Sequence, residues 1–75
     1  MKNKLIREIN SKRYICFNNI FEKNNKLYIK KSNHSFSSSH VVSDVCNIQS
    51  ILEKYKTYFD IKISLEEIVI NFIKK

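Results

Sequence analysis

The sequence predicts a single small α+β domain, a three-stranded antiparallel sheet packed against helices in the order α-β-β-β-α-α. Three observations lead there. Apolar residues recur at helical spacing at both ends of the chain, an aromatic and β-branched middle carries a turn signal at Asn24-Asn25, and 75 residues leave room for one core only. One domain therefore covers residues 1–75, without linker or internal repeat.

Leu5, Ile6 and Ile9 share one helical face, so residues 2 to 12 read as a first helix with Lys2, Lys4, Arg7 and Lys12 on its other sides. A helix so short must lay its apolar face on something. From Arg13 the pattern changes to Tyr14-Ile15-Cys16-Phe17, Ile20-Phe21 and, beyond Asn24-Asn25, Leu27-Tyr28-Ile29, which reads as a β-hairpin. In a chain without glycine, asparagine is the residue that best tolerates positive φ, which makes Asn24-Asn25 the natural turn. A two-residue turn would set Glu22 opposite Leu27 and mix apolar with charged groups. An odd loop instead puts Ile15, Phe17, Phe21, Leu27 and Ile29 on the inner face and Tyr14, Cys16, Asn18, Tyr28 and Lys30 on the outer one, and is the expected register.

Phe36, Val41 and Val42 suggest a third strand between residues 35 and 43, after the polar run from Asn33 to Ser39. Ile48, Ile51, Leu52, Tyr55 and Phe59 then follow a helical series, with Asp44 or Asn47 as cap. After a break at Asp60 to Ile63, Ser64-Leu65-Glu66-Glu67 has the form of a capping box. Leu65, Ile68, Val69, Phe72 and Ile73, widened by Ile70, make the stripe of a last helix, broad enough for burial between elements or for a homodimer surface. Lys74-Lys75 suits the end of that helix.

Placement says more than abundance here. Twelve Ile, twelve Lys and nine Asn fill 33 positions, while Gly, Pro, Trp and Ala are missing, a bias that AT-rich coding alone would produce. The charge is unevenly laid: residues 1–31 carry nine basic and two acidic groups, net +7, and residues 32–75 carry five of each, net zero. A positive N-terminal part favours a polyanion such as nucleic acid, an anionic membrane surface or an acidic protein patch; a solvated lysine surface is the plain alternative. The first residues alternate apolar with charged groups and hold no signal-peptide core, and no run approaches the ~20 apolar residues of a membrane span. Cys16 and Cys46 accordingly read as reduced thiols, the expected place is the cytoplasm of a bacterial host, and no membrane partner is expected.

No chemistry announces an activity. His34, His40, Cys16 and Cys46 are metal-ligand types, but no CxxC or HxxxH pair supplies a local chelate, so no metal and no cofactor are expected. Glu66 and Glu67 sit where a helix N-terminus would explain them without catalysis. A glycine-free chain has no obvious oxyanion loop, and the protein is expected not to be an enzyme. The strongest functional candidate is the hairpin: Tyr14 and Tyr28 as aromatic platforms among Arg13, Lys26, Lys30 and Lys31, the combination that stacks bases and follows a phosphate backbone.

Two families share parts of this pattern. The α-β-β-β-α order resembles that of double-stranded-RNA-binding domains, in topology and charge sign only: their Gly-Pro loop and their lysine cluster opening the helix after the third strand have no counterpart, since that helix opens Asp44-Val45-Cys46-Asn47-Ile48-Gln49. Leu5-Ile6-Arg7-Glu8-Ile9 followed by Lys12-x-Tyr14, and Ser50-Ile51-Leu52-Glu53-Lys54-Tyr55, resemble the first helix and the second helix of small phage anti-CRISPR proteins that inhibit the listerial type II effector nuclease. That resemblance implies a helix, three strands and two helices, and a non-enzymatic inhibitor that binds a CRISPR effector protein or ribonucleoprotein and blocks target binding or cleavage. Those inhibitors are acidic surrogates for DNA at an arginine-lined site. Here Arg13 stands where the family has an acidic residue, the acidic run is reduced to Asp60, Glu66 and Glu67, and the net charge is +7. A basic sheet would grip an acidic effector surface, guide RNA or bound DNA instead. The competing expectations are a small nucleic-acid-binding module and a host-takeover or toxin-antitoxin interaction protein.

Overall fold

The computed structural model describes residues 1–33 and 35–73. Its elements run α1 (Lys2–Asn10), β1 (Asn19–Lys23), β2 (Lys26–Lys30), α2 (Ser38–Leu52), β3 (Asp60–Ile63) and β4 (Glu67–Asn71). Four strands form one antiparallel sheet in the order β1-β2-β4-β3. The class is the expected α+β; the count is four strands and two helices, and the order α-β-β-α-β-β differs from the expected α-β-β-β-α-α.

One face of the sheet is the core face. Ile29 stands beside Ile20 and Ile68, and Leu27 beside Ile70, which pairs with Ile61. Against these pack Leu5 and Ile9 of α1 and Val45, Ile48, Ile51 and Leu52 of α2, with Phe17, Tyr55 and Phe59 from the connections. The first helix is thus where the periodicity places it. Ile48, Ile51, Leu52, Tyr55 and Phe59 are all buried, but α2 ends at Leu52, so Tyr55 and Phe59 pack from the turns after it, and the expected break at Asp60 to Ile63 is strand β3.

The third strand at residues 35–43 is not formed; the helix begins at Ser38, six residues before the expected cap at Asp44. Val41, Val45, Ile48 and Leu52 continue one helical stripe, and burying that stripe outweighs the β-preference of Val41-Val42. The last helix is also not formed. Ser64 Oγ accepts from the Glu66 and Glu67 amides at 3.3 and 3.1 Å, as a cap would, but it also donates to the Glu67 carbonyl at 2.8 Å and closes the β3–β4 hairpin. Ile68 and Ile70 alternate with half-buried Val69, a period of two that the neighbouring edge of β2 stabilises. The expected homodimer helix therefore does not exist, and Lys74-Lys75 lie outside the described residues.

The β1–β2 turn is Asn24-Asn25, with φ of 53° and 62°, both in the left-handed region. It is a two-residue turn, so Phe21 pairs with Tyr28 and Glu22 with Leu27, against the odd loop that the sequence favoured. Glu22 escapes burial because β1 is an edge strand, and its carboxylate pairs with the Lys2 ammonium of α1. Lys2 also lies 5.3 Å from the centre of the Phe72 ring, so the start of α1 is tied to both hairpins.

Residues 14–18 are not part of the strand. Tyr14, Cys16 and Phe17 are buried and Ile15 is 49% exposed, nearly the reverse of the expected faces. What holds this segment is Asp44 of α2, 1% exposed: its carboxylate accepts from the main-chain N–H groups of Ile15 (3.0 Å), Cys16 (2.5 Å) and Phe17 (3.1 Å). On the other side of the core Glu8 accepts from the Tyr55 hydroxyl at 3.1 Å and pairs with Lys54 at 2.9 Å. The Lys54 ammonium holds the Glu8 carboxyl below its ordinary value, against the opposing effect of burial. Its contribution to stability is present above the usual carboxylate range and is lost as pH falls through the lowered value.

Two outcomes follow for stability. Asp44→Ala leaves three main-chain amides, two of them buried, without an acceptor and is expected to cost about 3 kcal/mol or more in urea unfolding, with Asp44→Asn losing less. At the turn, Asn25→Val should cost about 1–2 kcal/mol and Asn25→Gly almost nothing, because only the former puts a β-branched side chain at positive φ; the same unfolding curves measure both.

Candidate nucleic-acid interface

The strand pairing that buries Leu27 and Ile29 turns the intervening residues to the other face of the sheet, where no helix lies among the described residues. Across it run Phe21, Tyr28, Val69 and Lys62 in one row, Asn19, Lys30 and Glu67 in a second, and Lys23, Lys26, Asn71 and Asp60 in a third. Phe21, Tyr28 and Val69 take no part in the core and are half-buried by one another.

At the centre is an aromatic pair. The Phe21 and Tyr28 rings stack across the two strands with centroids 5.1 Å apart and planes 16° apart. Lys30 Nζ sits 5.7 Å from each ring centre, within reach of both π faces. Its only carboxylate partner among the described residues, Glu67, is 3.8 Å away and both side chains are more than two-fifths exposed, a contact too long and too wet to hold the ammonium. Lys23, Lys26 and Lys62 form no ion pair among the described residues. The face thus offers an apolar platform with cations on three sides and two acidic groups, Asp60 and Glu67, toward the β3–β4 half.

Of the residues singled out in the sequence, Tyr28, Lys26 and Lys30 are brought together on this face. Lys31 lies at its end, 6.0 Å from the Phe36 ring, and Arg13 is exposed in the connection after α1. Tyr14 is not a platform: it is 8% exposed and its hydroxyl donates to the Ile9 carbonyl at 2.9 Å, with burial and then the Asp44 charge pushing its pKa up. The residue missed is Phe21, which takes the place expected of Tyr14. Its signal was present, since an Asn-Asn type I′ turn pairs positions 21 and 28 directly.

The other reactive groups do not converge. Among the described residues no three His, Cys, Asp or Glu side chains are placed to share a metal ion, and His34 lies outside them. Cys16 is buried and Cys46 exposed, both free. No described helix is long and apolar enough to cross a membrane. No protein-family model matches the chain, and no curated protein or solved structure is significantly similar to it.

The two thiols should differ sharply in reactivity. Burial, followed by the Asp44 charge, pushes the Cys16 thiol up, so it stays protonated and covered. Labelling with a disulfide reagent at neutral pH is expected to modify Cys46 at once and Cys16 only when the chain unfolds; two fast thiols would contradict the burial of residues 14–17.

Proposed function

We propose that the protein is a non-enzymatic binding module whose open sheet face holds single-stranded nucleic acid. The observation that carries this reading is the stacked Phe21–Tyr28 pair beneath the Lys30 ammonium, on the one sheet face that the helices leave uncovered. Any base offers a π face to such a platform, and the surrounding lysines neutralise the phosphates that follow it. A duplex fits less well, because its bases are already stacked.

The inhibitor function implied by the resemblance to small phage anti-CRISPR proteins would use the same face, on the guide RNA or the displaced DNA strand of an effector complex. The nucleic-acid reading stands without it.

Fluorescence anisotropy with labelled single-stranded RNA, single-stranded DNA and duplex DNA, each at about 50 and 200 mM salt, tests the reading. Single strands are expected to bind more tightly than duplex and to weaken with salt. Phe21→Ala or Tyr28→Ala should weaken them about tenfold each, and Lys30→Glu should flatten the salt dependence. No binding at micromolar protein, or a Tyr28→Ala variant that binds as the wild type does, overturns it.

A further inference from the structure

We infer that the free edge of β3 pairs with the β3 edge of a second copy of this chain, antiparallel about a two-fold axis at Ile61, to make one continuous eight-stranded sheet. The inference is independent of what the outer face binds.

It rests on a count of which main-chain groups point outward. The Ser64 N–H donates to the Glu67 carbonyl at 3.0 Å, which makes 64 and 67 a hydrogen-bonded pair of the β3–β4 ladder. Bonded and non-bonded pairs alternate along an antiparallel ladder, so Lys62 and Asp60 also direct their N–H and C=O groups at β4. The β2–β4 ladder agrees: Lys31 N–H to Glu66 and Phe72 N–H to Asn25 leave 67, 69 and 71 as the residues of β4 that face β3. Ile61 and Ile63 therefore turn their N–H and C=O groups outward, where no other described strand takes them.

A second β3 strand can take up those groups with the two-fold axis at Ile61, Lys62 or Ile63; at Lys62 two ammonium groups face each other and at Ile63 Asp60 comes opposite Glu66, so charge selects Ile61. Centred on Ile61, the axis sets Ile61 against Ile61 of the other copy and Ile63 against Phe59, which can only accept there because its own N–H donates to the Tyr55 carbonyl at 3.1 Å. It also sets Asp60 against Lys62, twice. Asp60 and Lys62 form no ion pair among the described residues of their own chain, and both project from the outer face. Of the registers that the hydrogen bonds allow, this one alone joins opposite charges. The apolar half is complementary too. Ile63 is 39% exposed, and with Ile61 it lines a cleft against Leu52 and Lys56 at the end of α2, which the matching isoleucines of the second copy would enter.

The other free edge does not share this property. In β1 the outward-bonding residues are Ile20 and Glu22, by the same count. An axis at Glu22 sets two carboxylates face to face, and one at Ile20 or Phe21 joins no opposite charges.

Sedimentation equilibrium on the full chain over a range of concentrations tests the proposal, alongside circular dichroism to show that each variant is folded. The wild type is expected to move from one chain mass, 9.0 kDa, to twice that value as concentration rises. Lys62→Glu and Asp60→Lys each create two like-charge pairs and should weaken the dimer about tenfold. The double variant Asp60→Lys, Lys62→Glu restores opposite pairs and should recover it. A wild type that stays at one chain mass into the millimolar range overturns the proposal, as does a dimer that neither single reversal disturbs, which would belong to β1 or to another surface.

Discussion

A single buried carboxylate organises this fold. Asp44 stands in the middle of α2, almost without solvent, and accepts three consecutive amides from a segment nearly thirty residues earlier in the chain. A buried charge of this kind is tolerated only where hydrogen bonds replace its water, and three N–H donors converging on one carboxylate do so. The benefit is mutual, because residues 15–17 form neither helix nor strand and their amides would otherwise be orphaned. Tyr14 continues the same seam by bonding back to the end of α1, so α1, the connection and α2 become one unit on which the sheet is laid.

That unit places both helices on one side of the sheet. Four strands and two short helices are enough for a single layer of core, with Leu27, Ile29, Ile68 and Ile70 meeting Leu5, Ile9, Ile48 and Leu52. The opposite face is left to side chains that tolerate water at one end: Phe21 and Tyr28 shield each other, and the Lys30 ammonium sits over both. The functional surface is therefore a consequence of the layering. A chain with one more helix would have covered it.

Much of the fold was legible where a local pattern had one solution. The helical period of Leu5 and Ile9, the turn at Asn24-Asn25 and the burial of Ile48, Ile51, Leu52, Tyr55 and Phe59 are all as the spacing implies. The candidate site was half legible: Tyr28, Lys26 and Lys30 share a face, whereas Tyr14 is core and Phe21 was assigned to the wrong side. The two have separate origins: Tyr14 is drawn into the core because residues 14–18 leave the strand and are held by Asp44, whereas Phe21 follows from the register. Glu22 opposite Leu27 looked prohibitive until Lys2, twenty residues away in the chain, supplied its partner at a sheet edge.

Composition, charge layout and short-range periodicity determined by themselves that this is one α+β domain with a basic N-terminal part and a hairpin turning on two asparagines. Only the tertiary structure decided the rest. Ser64 binds the two amides that follow it equally well at the start of a helix or in a hairpin loop, and Val41-Val42 suit either element. Such segments are locally degenerate. Their state is chosen by long-range contacts, the open ladder of β2 for residues 67–71 and the apolar floor of the sheet for residues 38–52, whose burial outweighs propensities of a few tenths of a kcal/mol per residue.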